Sequence, residues 1–387
     1  MIRFAAILCL CLVLTGCGSY APQASNTSTS TKPGNGAAAA PGSASTFYTV
    51  SDNITGGASC GTSAVSKVIG YPATATGPSS PTLTITSPNT MDRYGGPAID
   101  AAGNIYVYSV NLTQDCREVA GSEKIQVFAP ATSGTLTAAP IRTITGPATQ
   151  LFGVGPMTVD GAGNIYLWES QGAFAPPAPS QIVEFAAGAN GNVAPIRTLN
   201  VAQYPSIDGS GYPEGLAVDG SGNIVFAVAN PGTISGDVSS QSDMIEVFTP
   251  GQTGDATPAR TISGPLSQLT QISGLGLDGA GNIYVEMSTV ATGADPTILE
   301  FAAGANSTAP VSPINRISGT QTMLSRFVLN SLTVDGPGNI YVLTYTFPYS
   351  GPGTDPYYML RFGVGATGNA VPTAALLSVS GVGIATH

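Results

Sequence analysis

Among 387 residues there is one histidine, His387, one tryptophan, Trp168, and three lysines, Lys32, Lys67 and Lys124. Lysine and arginine together number 12, and the lysines are scattered. With no basic patch to neutralise a phosphate backbone, nucleic acid is excluded as an expected partner. The single histidine is the last residue, so no Ser/His/Asp arrangement can be assembled. Charged residues make up 9% of the chain, and the surface must therefore be built mostly from Ser, Thr, Asn, Gln, Gly and Ala. Cysteine is also sparse. Of five in all, Cys9, Cys11 and Cys17 fall at the N-terminus, which leaves Cys60 and Cys116 for the body of the chain. The apolar run from Phe4 to Leu14 is shorter than the roughly 20 residues needed to cross a bilayer.

Turn-forming residues are abundant. Glycine (49) and proline (30) together reach 79 of 387 residues, and a hydrophobic content of 42% supplies material for a core. The formal charge is -10, from 12 basic and 22 acidic residues. The segment MIRFAAILCLCLVLTGC combines one cation, Arg3, a short apolar run and small residues before a cysteine, which is the pattern of a secretory signal. Its Leu14-Thr15-Gly16-Cys17 resembles the bacterial lipobox, in which the cysteine is acylated and becomes the first residue of the mature chain. Residues 1–16 are thus expected to be a signal peptide and Cys17 the lipidation site. Residues 17–45, rich in Ser, Thr, Ala, Pro and Gly, are expected to be a flexible tether with a reach on the order of 30 Å. A bacterial cell-envelope location, with the membrane contacted only through the lipid anchor, follows from this reading.

From residue 46 the chain repeats. Asp160-Gly-Ala-Gly-Asn-Ile-Tyr166 returns at Asp278, with looser copies at Asp100, Asp219 and Asp335, so the turn aspartates stand 60, 59, 59 and 57 residues apart. Each copy lies between two short apolar alternations, the signature of a β-hairpin. A third strand follows in each unit: KIQVF, QIVEF, MIEVF, TILEF and YMLRF. After a glycine-rich stretch comes a fourth: IRTIT, IRTLN, ARTIS and INRIS. Four-stranded meanders at this spacing bury both faces when they close radially as propeller blades. Small residues between bulky ones (Thr158, Ala217, Gly276, Thr333) suit blades packed face to face. Arg142, Arg197 and Arg260 on the outermost strands would discourage edge pairing with another molecule, and Arg316, one place further along, would mark a bulge.

The ends set the blade count. STFYTVSD, VSKVI and PTLTITS read as second, third and fourth strands of a unit that lacks its first. At the other end VSGVGIATH resembles ISGLGLDG, the opening of the repeat at Asp278. Val382 to Thr386 is therefore expected to supply the missing inner strand beside Phe47 to Val50. The expected fold is all-β, a six-bladed β-propeller over residues 46–387 closed by its own termini; five and seven blades are the competing counts. The repeated turn itself reads as scaffold. DGAGN offers one carboxylate where a calcium loop needs several, and a strand follows where a phosphate loop needs a helix. The aspartate can cap the backbone N–H groups of its own turn, while glycine and asparagine tolerate positive φ.

Laid out this way, the chain resembles the NHL-type β-propellers, whose core reads D-x-x-G-N-I-Y-V. It is especially similar to bacterial extracytoplasmic propellers, whose blades continue I-x-v-F and P-x-R-t-I, matched here by Asp160–Tyr166, Ile182–Phe185 and Pro195-Ile196-Arg197. The resemblance runs from Phe47 to the end and implies a fold more firmly than a function, because such folds host binding modules and enzymes alike. Streptogramin-lyase-like propellers use a histidine base, for which only His387 is available. Lactonase-like propellers hold a divalent cation at the central opening, where Glu214, Glu286 and Asn330 are the candidates and Ca2+ the possible ion; no other cofactor and no catalytic residue is assigned.

The connections from second to third and from fourth to first strand share the face opposite the tight turns, and several of them are long. Binding sites are usually built where loop length varies on one rim of a regular scaffold. Arg93, Tyr94, Trp168, Glu169, Glu214, Glu286 and Arg326 fall at or near that rim or the central opening. A monomeric binding module for an envelope protein or glycan is the leading expectation. A divalent-metal hydrolase or lyase and a purely structural envelope protein are the alternatives. Cys60 and Cys116 fall at equivalent places in neighbouring blades, in a compartment that permits disulfides, and are expected to pair. Intact mass measured with and without reductant should then differ by two hydrogens, and identical masses would show two free thiols.

Overall fold

In the computed structural model the described residues are 46–51, 67–87, 93–94, 96–111, 119–152, 155–169, 181–201, 212–229, 243–287, 295–324, 331–345, 357–379 and 382–387. Cys17, Cys60, Cys116, Arg326 and Asn330 lie outside them. The described residues form six small sheets arranged as a six-bladed β-propeller. A representative blade, the third, runs outward from Met157–Val159 through Ile165–Glu169 and Gln181–Phe185 to Arg197–Asn200, each strand antiparallel to the last. In the second blade the inner strand is broken into Arg93–Tyr94 and Ala98–Ile99, both paired with Ile105–Val110.

The first blade is composite, as expected from the ends of the sequence. Val382–Thr386 lies antiparallel to Thr46–Ser51, with Phe47 opposite Thr386 and Val50 opposite Val382. Thr46 and His387 extend the pair by exchanging two backbone hydrogen bonds of 3.0 Å.

Apolar side chains gather between blades, not within them. Each of six buried clusters draws on two neighbouring sheets. One joins Tyr166, Trp168 and Leu199 of the third blade to Leu216, Phe226 and Phe248 of the fourth, and another closes the circle between Tyr341, Leu343 and Met359 of the sixth and Phe47, Ile69 and Tyr71 of the first. Small residues allow the approach. A Cβ on Gly276 would fall 2.8 Å from Leu332 Cδ2 and 2.9 Å from Val334 Cγ2 in the next blade. Burying a large apolar side chain contributes about 1.5–3 kcal/mol, so the seams, which no isolated blade possesses, dominate stability.

The repeated turns are self-contained. Asp160 Oδ1 accepts from the backbone N–H groups of Ala162 and Asn164, both at 2.9 Å, and Oδ2 accepts from Asn164 Nδ2 at 2.7 Å and the Tyr166 hydroxyl at 3.3 Å. Gly163 adopts φ 87°, a conformation that favours glycine. The asparagine has a different task from the one expected: it is absent from the described positive-φ residues, and Asn164 Oδ1 accepts from the backbone N–H of Ala187, tying the turn to the connection after the third strand.

The outer edges hold the main departure from expectation. The glycine-rich stretch between third and fourth strands lies along the outermost strand of the preceding blade, adding a short parallel fifth strand. Gly134–Thr137 pairs with Leu83–Thr86, Gly254–Asp255 with Asn200 and Leu199, and Gly77–Pro78 with Leu376 and Leu377 of the last blade. Single bridges join Ile144 to Gly191 and Ile317 to Gly368, and Ser307 donates its backbone N–H to the Thr261 carbonyl at 2.7 Å. All six blades are clasped in this way. Arg142 and Arg260 serve the clasps, donating from Nη1 to the carbonyls of Ala189 and Ala305 in the following blade, while Arg197 pairs with Glu184. No bulge occurs at Arg316: Asn315 takes the place opposite Glu300 and donates to its Oε2, and the register runs on unbroken.

Closure is therefore double, through Val382–Thr386 and through the clasp of Gly77–Pro78 on the sixth blade. Deleting residues 382–387 removes buried Ile384 and the pairing to Thr46–Ser51, and should cost at least about 3 kcal/mol while the second clasp keeps the chain ring-shaped. Urea unfolding and small-angle scattering check the two halves. An unchanged unfolding midpoint, or an expanded particle in native buffer, would contradict them.

Candidate functional site

Inner strands run from the long-connection rim to the tight turns, so the rim end of each inner strand opens on the channel mouth. In the fourth blade a bulge between Pro213 and Gly215 lies at this end and holds Glu214. The fifth blade repeats the bulge between Ile272 and Gly274 around Ser273, and the third has Gly155 at the equivalent place. A Cβ on Gly155 would stand 2.3 Å from the Trp168 carbonyl oxygen and 2.6 Å from its ring, so the indole occupies the space a side chain would need there.

Glu169, Glu214, Asp243 and Glu286 are among the described carboxylates at this end of the ring. Asp243, directly before the third strand Met244–Phe248, is fully buried, and its Oδ2 accepts from the backbone N–H of Ile272 at 2.6 Å, linking the fourth blade to the fifth. Glu169 is fully buried, and its Oε2 accepts from the backbone N–H of Phe152 at 2.9 Å, which fixes the approach to the inner strand of its own blade. Glu286 is fully buried opposite Gly274, with Oε2 3.5 Å from where a Cβ on that glycine would be. Glu214 is half-buried. Burial pushes its carboxyl well above the ordinary glutamate range, and the neighbouring Asp243 charge pushes it further in the same direction.

The sequence-derived candidates thus divide. Glu214 and Glu286 stand at the channel end of adjacent blades, with Asp243 beside Glu214. Trp168, 2% exposed, packs in the seam between third and fourth blades, and Glu169 holds a loop. Arg93 and Tyr94 lie on the broken inner strand of the second blade. Asp243 was not among the candidates. Its signal is an acid directly before the apolar alternation of MIEVF, a place where a strand leaves the rim and a free backbone N–H of the next blade is within reach. Among the described residues no three His, Cys, Asp or Glu side chains stand together as a metal-binding group.

At the other end of the strands the tyrosines of the turns are raised above the ordinary tyrosine range. Burial, aided by the hydrogen bond to Asp100 and its charge, pushes the Tyr106 hydroxyl up to about 12. Arg142 stands over the same ring at 5.7 Å and donates to the hydroxyl. These groups are bonded to one another.

Glu214→Gln tests the rim electrostatics. A carboxyl whose folded-state titration lies above its unfolded value near 4.5 favours the folded state most at low pH and loses that contribution as pH rises. The glutamine variant should therefore exceed wild type in urea stability at pH 7 by on the order of 1 kcal/mol, with the difference closing at pH 4. A variant less stable than wild type at pH 7 in metal-free buffer would contradict this environment for Glu214.

No protein-family model matches the chain, and no curated protein matches it. Solved structures do resemble it. A Hadza microbial sialidase, Hz136, is 10% identical over 83% of this chain and 68% of that one, with a TM-score of 0.44. The PQQ-bound aldose sugar dehydrogenase of Streptomyces coelicolor is 14% identical over 74% and 81%, with a TM-score of 0.39. A gluconolactonase of Xanthomonas campestris is 13% identical over 74% and 75%, with a TM-score of 0.35. At such identities the likeness concerns architecture alone, and the architecture of this chain is a six-bladed β-propeller.

Proposed function

We propose that the chain is a membrane-tethered extracytoplasmic propeller that acts as a binding module through its long-connection rim, with an envelope protein or glycan as partner. The observation that carries this reading is the division of labour between the two ends of the blades. At the tight-turn end, aspartate, asparagine, tyrosine and arginine side chains bond to one another and to backbone, repeating from blade to blade. At the other end, connections of unequal length leave a scaffold whose buried acids, Glu169 and Asp243, fix the backbone where the chain approaches the inner strands. A rigid frame that holds variable connections is the usual construction of a recognition surface. Replacing residues 170–180 and 230–242 by Asn-Gly turns should leave the melting temperature within a few degrees of wild type and abolish photo-cross-links formed by wild type in intact envelopes. Undiminished cross-linking to the same product would refute the assignment to this rim.

A second reading, a divalent-metal-dependent hydrolase or lyase of lactonase-like type, is favoured by one observation: Glu214 is raised first by burial and then by the charge of nearby Asp243. A dication would neutralise such a like-charge pair, and Ca2+ accepts carboxylate and carbonyl oxygens in flexible geometry. Calcium-dependent thermal stabilisation, present in wild type and absent in Glu214→Gln, is the expected signature; a calcium response equal in both removes this site from consideration.

A further inference from the structure

Both described ends of the chain emerge on the tight-turn side of the ring. Val382–Thr386 runs toward that side and Thr46–Ser51 starts from it, with Thr46 and His387 bonded to each other. The His387 ring lies 3.4 Å from where a Cβ on Gly103, in the first tight turn, would stand. Everything before Thr46 in the sequence, including the tether of residues 17–45, therefore joins the ring at this face.

The face is chemically unlike the rest of an acidic protein. The exposed tips of the tight turns are Gly, Ala, Ser or Pro, and the turn aspartates are occupied by their own N–H donors. Among the described exposed residues of these turns and of the connections between third and fourth strands, Asp255 alone bears a charged side chain. At the outer margin an isoleucine recurs where the chain rejoins the sheet: Ile141, Ile196 and Ile314 are 53%, 61% and 60% exposed. Each donates its backbone N–H at the same ladder step, to Val127, Glu184 and Glu300. Val364 and Val371 add exposed aliphatic surface in the sixth blade.

At the opposite rim the described acids include Glu123, Glu214, Asp243 and Asp295, against the cations Lys67 and Lys124. Exposed Phe152, Leu266 and Met323 also lie on that side, so apolar exposure alone does not distinguish the faces. Charge and the point of attachment do.

We infer that the tight-turn face rests on the lipid surface that holds the tether, with its aliphatic margin in the headgroup region and the acidic long-connection rim turned away. Single side chains on the second, third, fifth and sixth blades form no compact patch for a globular partner, whereas a plane touches all of them at once. Aliphatic insertion adds to an anchor that a single acyl chain would leave reversible. A face whose turn carboxylates are turned inward onto their own N–H donors, with Asp255 exposed beside them, limits the repulsion that anionic headgroups exert on acids. The inference takes its membrane from the tether reading of residues 17–45, and its test separates the two.

The mature chain from Gly18, preceded by a hexahistidine, is held on phosphatidylcholine vesicles through nickel-chelating lipid. Ile196→Trp and Leu266→Trp report the two faces against the common background of Trp168. Brominated phosphatidylcholine should quench the added tryptophan of Ile196→Trp roughly twofold and leave that of Leu266→Trp unchanged. Adding Ile141→Gln and Ile314→Gln to the Ile196→Trp chain should restore at least about half of the lost emission, with circular dichroism confirming the fold. Equal quenching of both probes, or of neither, overturns the face assignment. The mass of the native chain extracted from membranes decides acylation of Cys17 separately: an unmodified cysteine removes the tether while leaving the vesicle result intact.

Discussion

A four-stranded antiparallel sheet ends in a strand with one row of backbone donors and acceptors unpaired, and in a chain with few charges this edge cannot be guarded by lysine. Here the edge of every blade is met by the glycine-rich stretch of the next, which contributes backbone bonds in parallel register before turning back into its own sheet. The same six junctions enclose the apolar clusters, so edge protection and core formation are one event. A blade detached from its neighbours would have an open edge and two uncovered faces. The ring, not the blade, is thus the smallest unit that satisfies its own backbone.

This explains why so little charge suffices. Arginines on the outer strands reach across the junctions, where a guanidinium can donate to a carbonyl of the next blade and lie over a tyrosine of its own. The Asp–Tyr pair beneath that arginine is buried by the next turn: a Cβ on Gly163 would stand 3.3 Å from the Tyr106 hydroxyl and 3.4 Å from Asp100 Oδ2. Gly338 has the same relation to Tyr284 and Asp278, at 3.8 and 3.9 Å. The fourth blade has Val225 in place of the tyrosine and keeps its turn through the bonds that Asp219 accepts from Ser221 and Asn223. The aspartate is therefore the indispensable element of the turn, and the tyrosine is an addition that couples turns to outer strands.

Strands and their order were legible because alternation with a fixed partner turn leaves a strong period, and because VSGVGIATH preserves the pattern of an inner strand at the wrong end of the chain. The clasps were not legible. Stretches such as GNVAP and TGDATP have the composition of loops, and their pairing partners lie in another blade, set by the radial geometry and not by local alternation. Arg316 illustrates the same limit on a smaller scale. Read along the sequence it is a displaced arginine; in the sheet, Asn315 occupies the arginine's place, with its own bond to the third-strand glutamate. At the rim, Glu214 could be found from its position ahead of an apolar alternation, whereas Asp243 acquires its meaning from the Ile272 N–H of the following blade.

The two ends of the blades are consequently subject to different physical demands. At the tight-turn end the aspartates and asparagines of the turns have internal partners, so a substitution of one of them disturbs the frame before it alters any surface property. At the rim end the bulges of the fourth and fifth inner strands displace the residues at the channel mouth, Glu214 and Ser273, out of the regular ladder. A carboxyl held there beside a second buried acid is kept from ionising as readily as it would in water, at some cost to the fold, and nothing in the geometry of a meander requires it. The bulged inner-strand ends of the fourth and fifth blades thus lie at the end where the connections vary, on a scaffold whose turn aspartates are satisfied within their own turns.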